Sequence, residues 1–139
     1  MKGNITFTII KPFAVKHGHI GHILDKINEA NFRISAMKFI HLRLEEAKAF
    51  YAIHEGKPFF EPLVEFMSSG PIVVAILEKE NAVEDYRKLI GSTNPAVASE
   101  GTLRKIFGTN MQANALHGSD SDENAEKESN FFFSQIERH

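Results

Sequence analysis

Cysteine is absent from the 139 residues. That removes disulfides, thiolate nucleophiles and cysteine-ligated zinc, and fits a reducing compartment. An excess of either charge is missing too: 16 basic against 18 acidic residues leave a formal net charge of -2. No global field therefore draws nucleic acid or an anionic membrane, and any anion site has to be local. No apolar run approaches membrane-spanning length, and the start, Met1-Lys2-Gly3-Asn4-Ile5, has no long apolar run behind its charge. The expectation is a cytoplasmic chain. Internal repeats and low-complexity tracts are lacking, apart from a polar acidic patch between Ser119 and Glu128 that opens the last helix. The length fits one globular domain over residues 1–139.

What is present alternates between strand and helix patterns. Ile5, Phe7 and Ile9 alternate with Thr6 and Thr8, predicting a strand buried on one face that Pro12 stops. The proline holds Lys11 extended, so its ammonium group emerges at the strand's end, either as a ligand-binding group or as solvated surface. Ile20, Ile23, Leu24, Ile27 and Ala30 form one stripe of an amphipathic helix. His17, His19 and His22 around it read as a hydrated face rather than a metal site, since neither carboxylate nor cysteine accompanies them. A turn near Asn31 leads into a second strand from Phe32 to Leu42. Glu45 to Tyr51 predicts a short helix, and a further helix carries the core stripe Phe60, Leu63, Val64 and Met67. Phe59 is out of phase with that stripe. It is either a packing residue against a neighbouring loop or a platform for a flat ligand, and Tyr51 and His54 share the ambiguity. Ser68-Ser69-Gly70-Pro71 breaks the chain before Ile72 to Leu77, a continuous apolar run that predicts a central strand buried on both faces. The helix from Asn81 to Ile90 then buries Val83, Tyr86 and Ile90. It also carries Arg87. From Gly91 to about Asn114 the chain reads as a long loop bearing Thr93, Arg104 and Lys105, either a phosphate cradle or a solvated segment.

The stretch Asn114-Ala115-Leu116-His117-Gly118-Ser119-Asp120-Ser121-Asp122 concentrates the chemistry. Gly118 has no β-carbon, so a ligand can approach and the chain can turn sharply. Ser119 and Ser121 are candidate helix N-caps, and Ser119-x-x-Asp122 fits a capping box. Glu128 lies close enough along the helix to hold one ring nitrogen of His117 and leave the other as a nucleophile or base. The alternative is a capped surface helix with an incidental histidine.

Taken together, the ordered motifs Ile10-Lys11-Pro12, Lys57-Pro58-Phe59-Phe60, Ser69-Gly70-Pro71, Gly91-x-Thr93-Asn94-Pro95, Gly101-Thr102-Leu103-Arg104 and Asn114-x-x-His117-Gly118-Ser119-Asp120-Ser121 resemble the nucleoside diphosphate kinases over almost the whole chain. The resemblance implies an α+β fold: a ferredoxin-like βαββαβ sandwich with a four-stranded antiparallel sheet, helices on one face, extra helices and a long functional loop. It implies ping-pong transfer of a γ-phosphoryl group from a nucleoside triphosphate to a nucleoside diphosphate, with broad base specificity. His117 would be phosphorylated on Nδ1, Glu128 would hold the other nitrogen, and Ser119 would support Glu128. Arg87, Thr93 and Arg104 would contact phosphates, Lys11 and Asn114 the ribose, and Phe59 the base, with Leu63 and Met111 in the same nucleotide-binding set. Tyr51 and His54 would support the phosphate end. No Gly-x-x-x-x-Gly-Lys-Ser/Thr loop is present, so Mg²⁺ would bridge the nucleotide's own phosphates without protein ligands. The substrates implied are ribo- and deoxynucleotides, and the assembly a homo-oligomer, hexamer ahead of tetramer.

Phe13 departs from the family's usual aspartate, which would remove a helix cap. Two rivals come from other classes. An RNA-binding sheet would need paired aromatics and a basic face, and neither is found. A phosphohistidine relay protein would have no use for the base and ribose contacts implied for Phe59, Lys11 and Asn114.

Overall fold

The computed structural model describes residues 3–139; Met1 and Lys2 lie outside the described residues, as does the part of the leader reading that rests on them. The elements follow in the order β1 (Ile5–Ile10), α1 (Pro12–Lys16), α2 (Ile20–Glu29), β2 (Arg33–Ile40), α3 (Leu44–Phe50), α4 (Phe60–Met67), β3 (Ile72–Glu78), α5 (Ala82–Ile90), α6 (Leu103–Phe107), β4 (Leu116–Gly118) and α7 (Asp122–Phe132). Short 3₁₀ turns at Ala52–His54 and Gln135–Glu137 complete the chain. The sheet order is β2-β3-β1-β4 with every neighbour antiparallel. With α2 and α5 as crossovers this is the expected βαββαβ arrangement.

Each face of the sheet has its own core. The crossover helices bring Ile23, Ile27, Tyr86 and Ile90 against Val73, Ala75 and Leu77. The extra helices α3, α4 and α7 bring Ala47, Phe60, Val64, Met67 and Phe132 against Phe7, Ile9, Val74 and Ile76 on the other side. Double coverage explains why β3 is apolar at successive positions, each large side chain contributing about 1.5–3 kcal/mol through burial. It also corrects the reading of β1 as buried on one face. Thr6 and Thr8 are as inaccessible as Phe7 and Ile9, because alternation here divides residues between two cores rather than between core and water.

Three local expectations change. β2 is shorter than Phe32–Leu42 and carries a bulge between Ile34 and Ala36, after a left-handed Asn31 (φ 71°). The stretch from Gly91 to Asn114 is not all loop, since it contains α6 and thereby places Arg104 on a helix. Phe13 does not stand at a cap: the N-cap of α1 is Lys11 with proline following, and the Phe13 ring stacks on His17 at 4.0 Å. An aspartate there would have met the helix dipole rather than capped backbone amides.

Candidate active site

β4, three residues at the sheet edge, carries the central histidine. Its neighbours hold it on every side. Ala115 enters the strand at φ 82°, in the left-handed region, with its carbonyl accepting from Lys11 N at 2.9 Å. Gly118 is at an ordinary φ, so its value here lies in packing rather than in a sharp turn. A β-carbon on it would meet Ile90 Cδ1 at 2.9 Å and Tyr86 Cδ2 at 3.2 Å. The N-cap of α7 is Ser121, whose Oγ accepts from Asn124 N at 3.1 Å. The anticipated Ser119–Asp122 box does not form, because the Ser119 hydroxyl accepts from Phe7 N at 3.1 Å and donates to Glu128 Oε1 at 2.7 Å.

The same carboxylate oxygen lies 2.9 Å from His117 Nε2. A carboxylate can only accept, so Nε2 carries a proton, and it is Nδ1 that bears the lone pair in the neutral imidazole. Phe7 and Phe50 stand at 6.1 and 5.9 Å from the imidazole ring, limiting its movement. Tyr51 is buried nearby, and burial together with the charge of Glu128 pushes its phenol above the ordinary value, so it remains a proton donor.

A cleft of about 620 Å³ opens above this group. Its walls include Lys11, Tyr51, His54, Leu63, Arg87, Thr93, Arg104, Met111, Asn114, His117 and Glu128. Sequence reading had singled out all of these. Lys11 does not emerge into solvent as an exposed end of the strand: it is 7% exposed and donates to Asn114 Oδ1 at 2.8 Å. Burial, assisted by Arg104, lowers its pKa to about 7. Asn114 in turn donates through Nδ2 to the carbonyls of Thr93 and Met111, each at 3.0 Å, tying the loop to the strand. Arg104 donates to the carbonyls of Gly91 and Leu116 at 3.0 and 2.9 Å, and burial, with Arg87 nearby, lowers its pKa to about 10. It stays charged at neutral pH.

Two expected residues lie off the cleft wall. Ser119 is fully buried behind Glu128. Phe59 stands at the outer rim, 48% exposed, with its ring 5.1 Å from that of His54. The charges in this cleft suit an anion: Lys11, Arg87, Arg104 and Lys127 line it, against Asp120 and the already engaged Glu128.

The profile of the nucleoside diphosphate kinase family matches residues 4–138. The chain belongs to that family. It is 56% identical over 138 residues to the nucleoside diphosphate kinase of Flavobacterium psychrophilum, covering 99% of each chain. To that of Chlamydia caviae it is 52% identical over 132 residues, covering 95% of this chain and 94% of the relative. Among solved structures, the Aquifex aeolicus nucleoside diphosphate kinase superposes with a TM-score of 0.96 at 42% identity, covering 98% of this chain and 99% of that one. The halophilic enzyme from Halobacterium salinarum, solved in complex with CDP, gives 0.94 at 34% identity, covering 99% and 91%.

Membership makes the activity class that of a phosphotransferase. Within this kinase fold the cleft has further walls that sequence reading missed: Phe50, Ile53, Asn124, Lys127 and Phe131. A signal for two of them was present. Asn124 lies four residues before Glu128 and Phe131 three after it, so any helix that aims Glu128 at His117 aims these the same way.

Proposed function

We propose that the chain catalyses γ-phosphoryl exchange between nucleoside tri- and diphosphates through His117. The observation that carries this reading is the 2.9 Å contact of His117 Nε2 with Glu128, which leaves Nδ1 as the ring nitrogen without a protein partner among the described residues. In the first half-reaction the Nδ1 lone pair attacks the γ-phosphorus and the bond to the bridging oxygen breaks, releasing the diphosphate. In the second, a terminal phosphate oxygen of another diphosphate attacks the same phosphorus and the P–N bond breaks, restoring the lone pair. Glu128 balances the positive charge that builds on the imidazole, while Arg87 and Arg104 meet the charge spread over the transferring oxygens. Tyr51 and Ser119 support the pair, and Thr93 and His54 stand by the phosphates. Lys11 and Asn114 suit the ribose, and Phe59, Leu63 and Met111 an apolar base site that takes any base, ribo or deoxy.

Among the described residues no group of three or more His, Cys, Asp or Glu is placed to hold a metal ion. The cationic walls at Lys11, Arg87 and Arg104 suit a polyphosphate, and a Mg²⁺ ion travelling with it would neutralise further charge on its oxygens. Exposed apolar side chains in two separate places, Met37 and Phe39 on β2 and Val97 and Ile106 in the 91–114 segment, support assembly into a homo-oligomer; the family resemblance puts a hexamer ahead of a tetramer. A cytoplasmic location is supported by the lack of cysteine, and among the described residues no helix is long and apolar enough to cross a membrane.

The test is incubation with ATP alone, removal of nucleotide, and assay for acid-labile phosphate on His117 that GDP then discharges as GTP. His117→Ala should take up no label and lose transfer. A stable ternary complex, or intersecting double-reciprocal lines, would overturn the scheme.

A further inference from the structure

Thr8 and Tyr86 lie outside the cleft, yet Thr8 is bonded to the strand that carries His117 and Tyr86 is bonded to Thr8. Thr8, on the α5 side of β1, donates from Oγ1 to the carbonyl oxygen of His117 at 2.8 Å. Its hydroxyl also lies 2.7 Å from Tyr86 Oη. Thr8 has a single proton, committed to the carbonyl, so Tyr86 must be the donor to Thr8. The result is a directed pair of hydrogen bonds from α5 through β1 to the peptide bond of the nucleophile. Both residues are essentially inaccessible, and Phe32 packs edge-on to the Tyr86 ring at 5.4 Å.

Tyr86 meets the same peptide a second way, since its ring edge and Ile90 fill the space a β-carbon on Gly118 would need. The next residue along α5 is Arg87, whose side chain lines the cleft. The helix ends at Gly91, whose carbonyl accepts from Arg104, and Arg104 also holds the carbonyl of Leu116. Consecutive carbonyls, at Leu116 and His117, are thus each claimed by a side chain from outside β4. An edge strand of three residues has little ladder of its own, so these bonds fix where the imidazole stands relative to the two arginines.

We infer that Thr8 and Tyr86 are positioning residues, which set the height of His117 against the phosphate-binding face without touching substrate. The inference rests on the reading of His117 as the phosphorylated residue. A reacting nitrogen has to lie within a few tenths of an ångström of its line of attack, whereas affinity for the nucleotide depends on contacts elsewhere in the cleft.

The test uses full-length Thr8→Val, Thr8→Ser and Tyr86→Phe. Valine keeps the shape and removes the hydroxyl, serine restores it, and phenylalanine removes only the donor to Thr8. The measurements are the rate of His117 phosphorylation by ATP in rapid quench, nucleotide affinity by calorimetry, and Tm. Thr8→Val should slow phosphorylation at least tenfold with affinity within twofold of the parent. Thr8→Ser should recover most of the rate, and Tyr86→Phe should fall between. A Thr8→Val enzyme that melts earlier but phosphorylates at the parent rate would overturn the inference, as would a failure of serine to rescue. If the parent takes up no label on His117, the failure belongs to the reading of the nucleophile and not to Thr8.

Discussion

The deep end of the cleft and its rim are built on opposite plans. Below, Lys11, Asn114, Arg104, Ser119 and Glu128 are each hydrogen-bonded before any ligand arrives. At the rim, Phe59, Met111 and Ile53 are 48%, 60% and 81% exposed, and their side chains offer apolar surface only. Preorganised dipoles are most valuable where charge moves during reaction, while a surface that meets a base by its π-face gains from tolerance. On the proposed assignment, the contrast would leave the reacting atoms tightly specified and the base loosely so.

Glu128→Ala breaks the deep end most directly. It should lower kcat by on the order of 10²-fold, the usual cost of one preorganised electrostatic partner, and leave KM nearly unchanged. An unchanged kcat in steady-state assays would remove Glu128 from the machinery. Phe59→Ala should do the reverse at the rim, weakening nucleotide binding by roughly 1–3 kcal/mol, purines more than pyrimidines, with little effect on kcat. The kcat/KM series across all diphosphates decides it, and an equal, negligible loss for every base would make Phe59 a packing residue.

Lys11 sharpens the comparison through protons. Its pKa falls from 10.5 to about 7 on folding, so between those values the folded chain binds fewer protons than the unfolded one and stability rises with pH. The cost of burying the ammonium is fully present below about pH 7 and is relieved as pH climbs toward 10.5. A bound nucleotide brings negative charge that should restore the proton. Calorimetry at about pH 8.5, in buffers of differing ionisation enthalpy, should therefore report proton uptake on binding; buffer-independent heats would show that Lys11 stays charged in the free protein. The smallest effect concerns neither end. Ser121→Ala should cost about 1 kcal/mol of stability through the lost cap of α7, seen as a lower denaturation midpoint, with transfer unchanged. A parent-like midpoint would show that the cap adds nothing.

Much of this was legible in the residues, for reasons that differ by distance along the chain. The His117–Glu128 pair spans eleven residues, one turn and part of a helix, and such spacing is set by local geometry alone. The apolar run of β3 announced two covered faces. The burial of Lys11 was not legible, because it depends on Asn114, 103 residues away, and on a loop that only the fold brings across. The bond from Thr8 to Tyr86 spans 78 residues, and neither hydroxyl is remarkable in its own neighbourhood. Ser119 misled for a related reason. Its position suited a helix cap, but the backbone amide of Phe7, 112 residues earlier, reached it first. Helix α6 was hidden by its length, since five residues carry too little periodicity to show.

The space denied to a side chain at Gly118 bears on how this sequence can drift. Ile90 Cδ1 and the Tyr86 ring occupy it, so Gly118→Ala in the present background forces a shift, either of the tip of Ile90 or of β4 and its imidazole. Shortening Ile90 to valine removes the nearer obstacle and costs only about 0.5–1.5 kcal/mol, which a folded domain tolerates. The two substitutions therefore have a preferred order. A lineage that trims position 90 first leaves only the Tyr86 ring, at 3.2 Å, for the alanine to accommodate, and one that begins at position 118 meets both obstacles at once. Tyr86 remains a tight neighbour on either path, so what position 118 accepts is set from the far side of the sheet.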